Sequence, residues 1–118
     1  MIEIGSRARS QPPPPHAVFE ALVLPNRDPA RPWLAVLDNE QFPTIGETEE
    51  FTLVTWSSLW VKRSDVVIRF DLTGDSGGTS LRWTLLVDEP PPDDAFVGHM
   101  RKRMNQLINA NLRYTFGQ

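Results

Sequence analysis

The sequence contains no cysteine and only two histidines among its 118 residues. A chain without cysteine forms no disulfide, has no thiolate nucleophile and offers no thiolate ligand to a metal ion. The two histidines, His16 and His99, are far apart in the sequence, and no local metal-ligand spacing surrounds either one. We therefore assign no metal site, no cofactor and no catalytic residue from the sequence.

Long apolar runs are also lacking, and neither sign of charge dominates. No segment approaches the roughly 18 apolar residues of a spanning helix, and the first fifteen residues have no signal-peptide core. Twelve basic and fifteen acidic side chains give a net charge of −3, whereas nucleic-acid binding needs a positive field. We expect a single domain over residues 1–118 that is cytoplasmic, without nucleic-acid binding or membrane insertion.

One short string, GDSGG at residues 74–78, matches the run around the nucleophile of chymotrypsin-like serine proteases. A serine nucleophile needs a histidine within hydrogen-bond reach and a carboxylate that orients it, and neither histidine here has that context. Residues 66–73 and 80–87 on either side alternate between apolar and polar side chains. Two such runs joined by a glycine-rich connection predict a β-hairpin, so Ser76 is expected to lie in an exposed turn.

The first third of the sequence predicts a strand followed by short helices. Alternation over residues 2–9 places Ile2, Ile4 and Ala8 on one face and Glu3, Arg7 and Arg9 on the other. A proline run then ends the strand, and Pro15 can begin a helix that extends to Val23. The apolar segment 33–37 predicts a second short helix.

The remainder predicts more strands and one long helix. Residues 42–61 have a β-like but irregular pattern, followed by the hairpin over 66–87. After prolines 90–92, Asp93 and Asp94 supply an N-cap oxygen and negative charge for a helix that extends to about Thr115.

This order of elements resembles the helix-grip fold of the START-related superfamily (SRPBCC), in particular its polyketide cyclase/dehydrase-like group. Residues 15–19 (PHAVF) match the family's proline-led helix, Trp33 its tryptophan after the second short helix, and residues 78–83 (GTSLRW) the close of its late hairpin. The resemblance implies an α+β fold in which a curved antiparallel sheet wraps around a long C-terminal helix, with two short helices after the first strand. Residues 38–62 are short for the family's six or seven strands, which predicts a smaller cavity, either closed or open.

The resemblance also implies that a hydrophobic or aromatic small molecule binds between the sheet and the C-terminal helix. At 100° per residue the apolar residues of this helix fall on one arc: Val97, Met100, Met104, Leu107, Ile108 and Leu112. Arg101 and Asn111 lie in or beside the arc, where they either orient a polar group of the ligand or serve structural roles. The predicted ligand contacts are Trp33, Phe70, Trp83, Met100, Arg101, Met104, Ile108 and Asn111.

Two other functions stay open at this stage. An enzyme, a cyclase or dehydratase acting on a polyketide-type substrate, would need an inward titratable group, and Arg101 is the only candidate on the long helix. A protein-interaction module resembling the co-chaperone relatives is the second alternative. The positions of Trp56 and Trp60 distinguish these alternatives. Either a bulge near Ser57 and Ser58 turns both side chains inward, or they form an exposed face that suits a homodimer or a partner protein.

Overall fold

The computed structural model describes residues 1–27 and 32–116, which form one antiparallel sheet packed against a long C-terminal helix. The sheet has five strands in the order β1-β5-β4-β3-β2. The strands are β1 (Ile2–Gln11), β2 (Ile45–Glu49), β3 (Leu53–Trp56), β4 (Val67–Asp75) and β5 (Gly78–Val87). The two edges of the sheet are therefore β1 and β2.

The helices begin and end close to where the sequence predicts. The first, α1, covers Pro15–Val23, and a single 3₁₀ turn covers Val61–Arg63. The long helix starts as α2 (Asp94–Gln106), continues as a π segment (Leu107–Leu112) and ends as α3 (Arg113–Thr115). At its start Asp93 accepts a hydrogen bond of 2.8 Å from the backbone N–H of Phe96, which confirms the predicted N-cap.

The second short helix predicted at residues 33–37 is absent, and this segment is irregular. Asn26 provides the hydrogen bonds that a helical turn would otherwise make. Its side-chain oxygen accepts from the backbone N–H groups of Trp33 and Leu34 at 3.0 Å each, and its amide donates to the Leu34 carbonyl at 2.8 Å. Asparagine competes with regular structure in this way, and a pattern of apolar residues does not reveal it.

The long helix buries the face that its spacing predicts. Five side chains of the predicted arc are fully buried: Met100, Met104, Leu107, Ile108 and Leu112. Val97, near the start, is only partly buried. Because hydrogen bonds in a π-helix join residues five apart, the π segment brings Leu112 to the same side as Leu107.

A β-bulge in β1 changes which residues face the helix. Glu3 lies opposite Leu86, but Gly5 lies opposite Leu85, so one extra residue interrupts the register. Beyond the bulge Arg7 lies opposite the inward-facing Trp83, and directly opposite residues share a face of the sheet. Arg9 likewise lies opposite the buried Leu81, and Ala8 lies opposite the exposed Arg82. The predicted faces of Arg7, Ala8 and Arg9 are therefore wrong, since an extra residue reverses the alternation.

The β4–β5 hairpin has the turn predicted for the GDSGG string. Asp75 pairs with Gly78, which leaves Ser76 and Gly77 as a two-residue connection with φ values of 51° and 88°. Positive φ at both positions is the type I′ geometry that matches the twist of paired strands. The six residues predicted to share the inner face are all buried: Ile68, Phe70, Leu72, Leu81, Trp83 and Leu85.

The chain leaves the sheet after Trp56 instead of continuing as a bulged strand. The hydroxyl of Ser58 accepts from the Trp60 backbone N–H at 2.9 Å and lies 3.1 Å from the Trp60 carbonyl oxygen, which fixes the bend. Trp56 and Trp60 are both buried, with exposures of 1% and 0%. The exposed tryptophan face is therefore wrong, and the homodimer predicted through these two residues loses its basis.

Candidate functional site

A cleft of about 420 Å³ opens between the first strand and the long helix. Residues 3–7 of β1 form one wall, Arg101 and Asn105 of α2 form the other, and Trp83 of β5 contributes to the lining. The cleft thus lies where the edge of the sheet meets the helix, and it is open to solvent on one side. This position follows from β1 being an edge strand that no further strand of the described residues covers.

A glycine in the bulge allows the helix side of the cleft to approach the strand closely. A Cβ placed on Gly5 would lie 2.9 Å from both Cγ and Nε of Arg101. Without that Cβ, the Arg101 side chain extends across the strand, and its Nε donates a hydrogen bond of 2.7 Å to the Ile4 carbonyl. The absence of a side chain at Gly5 thus leaves room for Arg101 to connect α2 to β1.

Two buried polar atoms of residues that line the cleft have no partner among the described residues. They are the indole Nε1 of Trp83, a donor, and the side-chain Oδ1 of Asn105, an acceptor. Trp83 as a whole is only 1% exposed. The indoles of Trp33 and Trp56, by contrast, donate to the carbonyls of Ala21 and Leu22. Because buried polar groups are nearly always satisfied, the Trp83 indole marks a place where a partner is missing.

The charged side chains that line the cleft are two arginines and one carboxylate. Arg7 and Arg101 give two positive charges and Glu3 gives one negative charge, so the lining has a net charge of +1. Arg9 follows Arg7 on the same face of β1, and its buried Nε has no partner in the part of the chain that the structure describes. The inner side of this edge strand is therefore basic.

No protein-family model matches the chain, and no curated protein sequence is similar to it. Solved structures are similar over almost the whole chain. The Aha1 protein of Colwellia psychrerythraea, solved as a dimer, is 16% identical with a TM-score of 0.69, covering 93% of this chain and 92% of that one. The MLL2253 protein of Mesorhizobium loti is 19% identical with a TM-score of 0.70, covering 96% of both chains. CalU16 of Micromonospora echinospora is 16% identical with a TM-score of 0.67, covering 88% of this chain and 70% of that one.

The chain has the helix-grip fold. The resemblance to SRPBCC proteins found in the sequence is thereby confirmed at the level of the fold. Identities of this size establish the architecture and do not establish the function.

Only two of the predicted ligand contacts lie at the cleft of this helix-grip chain. Trp83 and Arg101 line it. Five others are packed in the core: Trp33, Phe70, Met100, Met104 and Ile108. Asn111 is half-buried in the π segment and does not line the cleft. The assignment of these six residues as ligand contacts stays a prediction.

The buried arginine of the long helix is Arg103, which the sequence does not single out. Arg103 is 5% exposed, whereas Arg101 is largely exposed. The guanidinium of Arg103 donates to both carboxylate oxygens of Glu40 at 2.8 and 2.9 Å and to the Ala35 carbonyl at 2.5 Å. The view that Arg101 is the only inward titratable group of the helix is therefore wrong. The irregular segment that contains Ala35 and Glu40 covers this flank of the helix, and periodicity does not place such a segment.

Neither a metal centre nor a spanning helix is found in residues 1–27 and 32–116. No group of three or more His, Cys, Asp or Glu side chains there is placed to hold a metal ion. None of the helices in these ranges is both long enough and apolar enough to cross a membrane.

Proposed function

We propose that this chain is a binding protein that takes an aromatic small molecule into the cleft between β1 and the long helix. The observation that carries the proposal is the buried indole N–H of Trp83, which has no acceptor among the described residues although its residue lines the cleft. A ligand with an acceptor atom would supply the missing hydrogen bond once a movement of the lining exposes the indole N–H, and a hydrogen bond of this kind orients a ligand in its site. The likeness of the sequence to SRPBCC proteins supports the same kind of function.

The dimensions and lining of the cleft suit a molecule with one or two rings. A volume of about 420 Å³ lies in the range of small-molecule sites. Trp83 and Ile4 line the cleft but are almost fully buried, so only the edges of these side chains are apolar contacts, while Arg101 and Asn105 on the helix side are polar. The ligand class is therefore an aromatic compound with polar substituents, which is more polar than the ligand that the resemblance alone implies.

Binding is better supported than catalysis. General acid–base chemistry needs a titratable group aimed at the reacting atoms, and among the residues that line the cleft Glu3 is the one carboxylate and no histidine is present. Arg101 already donates to the Ile4 carbonyl. A cyclase or dehydratase would therefore have few titratable groups for acid–base chemistry in this cleft. The protein-interaction alternative relied on an exposed face formed by Trp56 and Trp60, and both residues are buried.

The test is a nuclear magnetic resonance titration that follows the four indole N–H signals. A panel of aromatic carboxylates, amides and phenols is added to ¹⁵N-labelled protein, and Trp83→Phe identifies the Trp83 signal. We expect at least one compound to shift this signal. The Trp60 indole is the matched control, since it is also buried without a partner but does not line the cleft. A panel that leaves the Trp83 signal in place, or shifts it no more than the Trp60 signal, contradicts the proposal.

A further inference from the structure

We infer that the cleft selects ligands with a singly charged anionic group, a carboxylate, and that Arg7 and Arg101 recognise it. This inference rests on the proposed binding function and specifies its ligand. It concerns charge, which neither the helix-grip fold nor the apolar core determines.

The bulge in β1 brings Arg7 to this site. Without the extra residue, Arg7 would lie on the outer face of the sheet; with it, Arg7 lies opposite Trp83 on the inner face and lines the cleft. Four arginines of the described chain pair with carboxylates and are thereby occupied: Arg27 with Glu20, Arg63 with Asp65, Arg69 with Asp71 and Arg103 with Glu40. The side chain of Arg7 has no such partner within residues 1–27 and 32–116, so its guanidinium is available to a ligand.

Arg101 offers donors from the opposite wall. Its Nε donates to the Ile4 carbonyl at 2.7 Å, and this bond holds the side chain across the strand. A guanidinium carries five N–H donors in a fixed fork that matches a carboxylate. The Nε bond uses one of them, and the terminal nitrogens make no hydrogen bond to the described residues. The donor group of Arg101 is therefore already in position.

The net charge of the lining favours a monoanion. Two arginines and Glu3 give +2 − 1 = +1, which one carboxylate neutralises, whereas a phosphate dianion would leave a net charge of −1 in the cleft. The Trp83 indole N–H, buried without a partner among the described residues, is a further donor on a residue that lines the cleft. A ligand with its carboxylate between Arg7 and Arg101 uses the two guanidinium groups of the lining.

The experiment compares two probes of the same shape, 2-naphthoate and 2-naphthamide, by titration of the Trp83 indole signal at low salt. We expect naphthoate to bind at least about fivefold more tightly, because charge-assisted hydrogen bonds are stronger than neutral ones. Arg7→Gln should weaken naphthoate binding about three- to fivefold, the range for rim ion pairs, and weaken naphthamide binding by a smaller factor, because the amide carries no charge. Raising the salt concentration should reduce the preference.

Arg82→Gln is the matched control, since Arg82 is exposed and donates to Ser6 on the outer face. It removes the same charge from the opposite side of the sheet and should leave the preference for naphthoate intact. Arg101→Gln should lower the preference as Arg7→Gln does, with thermal unfolding monitored to show that the fold persists.

Equal affinity of the wild-type chain for the two probes, or equal effects of Arg7→Gln and Arg82→Gln, would overturn the inference while the binding function stands. A Trp83 signal that responds to neither probe nor to any compound of the wider panel is the failure of the binding function itself.

Discussion

At the scale of single residues, Arg103 is a buried positive charge, and an ion pair with Glu40 compensates it. The Glu40 side chain is 0% exposed and accepts both from Arg103 and from the Leu37 backbone N–H, the latter at 2.9 Å. A buried pair gains little over apolar packing, but loss of one partner leaves an uncompensated charge in the core. The pair thus fixes the irregular segment against the long helix.

Glu40→Ala is expected to lower the free energy of unfolding by about 3–5 kcal/mol, because Arg103 stays buried without its counter-ion. Urea denaturation followed by tryptophan fluorescence measures the change. Asp71→Asn is the control, since the Asp71–Arg69 pair is solvent-exposed and such pairs contribute about 1 kcal/mol at most. Similar losses in the two variants would contradict the structural role given to Glu40.

Within the β4–β5 hairpin, Ser76 lies in the exposed turn and Trp83 lies on the buried face. Ser76 is exposed at the turn and contacts only Asp75 through its hydroxyl among the described residues, so Ser76→Ala should change stability by about 0.5 kcal/mol or less. Trp83→Ala should cost about 3–5 kcal/mol, as for other large buried aromatics. A fluorophosphonate probe should leave Ser76 unlabelled; stoichiometric labelling would show that the turn assignment misses a nucleophile.

At the scale of secondary-structure elements, the sequence predicts the regular parts well and the interruptions poorly. The β4–β5 hairpin, α1 and the N-cap at Asp93 follow from alternation, proline position and capping chemistry, all of which are local. The bulge in β1 and the irregular segment after Pro32 depend on partners far away in the chain, Leu85 for the bulge and Arg103 for the segment. The bulge in particular decides which arginines reach the cleft.

Gly5→Ala tests how β1 and α2 are held together. A Cβ there would come 2.9 Å from Arg101, so Arg101 must move and its bond to the Ile4 carbonyl should lengthen or break. We expect a loss of about 1–3 kcal/mol, as for overpacking, and a shift of the Trp83 indole signal.

Gly98→Ala is the matched control for Gly5→Ala. Gly98 lies inside α2 with nothing within 4 Å of an added Cβ. Removing glycine from a helix interior should stabilise the protein by up to about 1 kcal/mol. A Gly5→Ala variant that is as stable as the wild type, with the Trp83 signal unmoved, would contradict the account of this contact.

A second connection between elements depends on pH. Two hydrogen bonds of 2.8 Å from Arg63 hold the pKa of the Asp65 carboxyl well below its usual range, and the Asp88 backbone N–H adds a bond of 2.9 Å. Arg63 also donates to the carbonyls of Asp88 and Pro90 at 3.0 Å each. This cluster ties the 3₁₀ turn to the segment that leads into the long helix.

The lowered pKa gives the sign of the pH effect. A carboxyl whose folded-state pKa is depressed stabilises the protein fully above its unfolded value of about 3.9, and this contribution is lost as the pH falls toward the folded value. Asp65→Asn should therefore lower the urea midpoint at pH 7, and the gap to the wild type should narrow below about pH 4. A gap that stays constant down to pH 2.5 would show that the carboxylate charge contributes nothing.

At the scale of the whole molecule, the five-stranded sheet accounts for the position of the site. The short middle of the sequence predicts a reduced sheet, and the described chain has β1 and β2 as its edges. Five predicted ligand contacts pack into the core, while the cleft lies at the β1 edge. Composition and periodicity could identify the inner face, Trp83 included, but they could not show that a cleft at the sheet edge is lined by Trp83 and Arg101.

A ligand in this cleft should stabilise the entire fold, because the cleft exists only when β1, β5 and the long helix are assembled. At a 2-naphthoate concentration ten times the dissociation constant, mass action adds about 1.4 kcal/mol to the free energy of unfolding. For a chain of 118 residues this corresponds to a rise of about 5 °C in the melting temperature. Differential scanning fluorimetry with naphthoate and naphthamide at equal concentrations should show the larger rise for naphthoate.

Two tryptophan variants show whether this rise comes from the cleft. Trp83→Phe removes the indole donor and should reduce the rise in melting temperature. Trp60→Phe removes an equally buried indole away from the cleft and should leave the rise unchanged. Equal rises in these two variants would mean that the stabilising site lies elsewhere in the molecule.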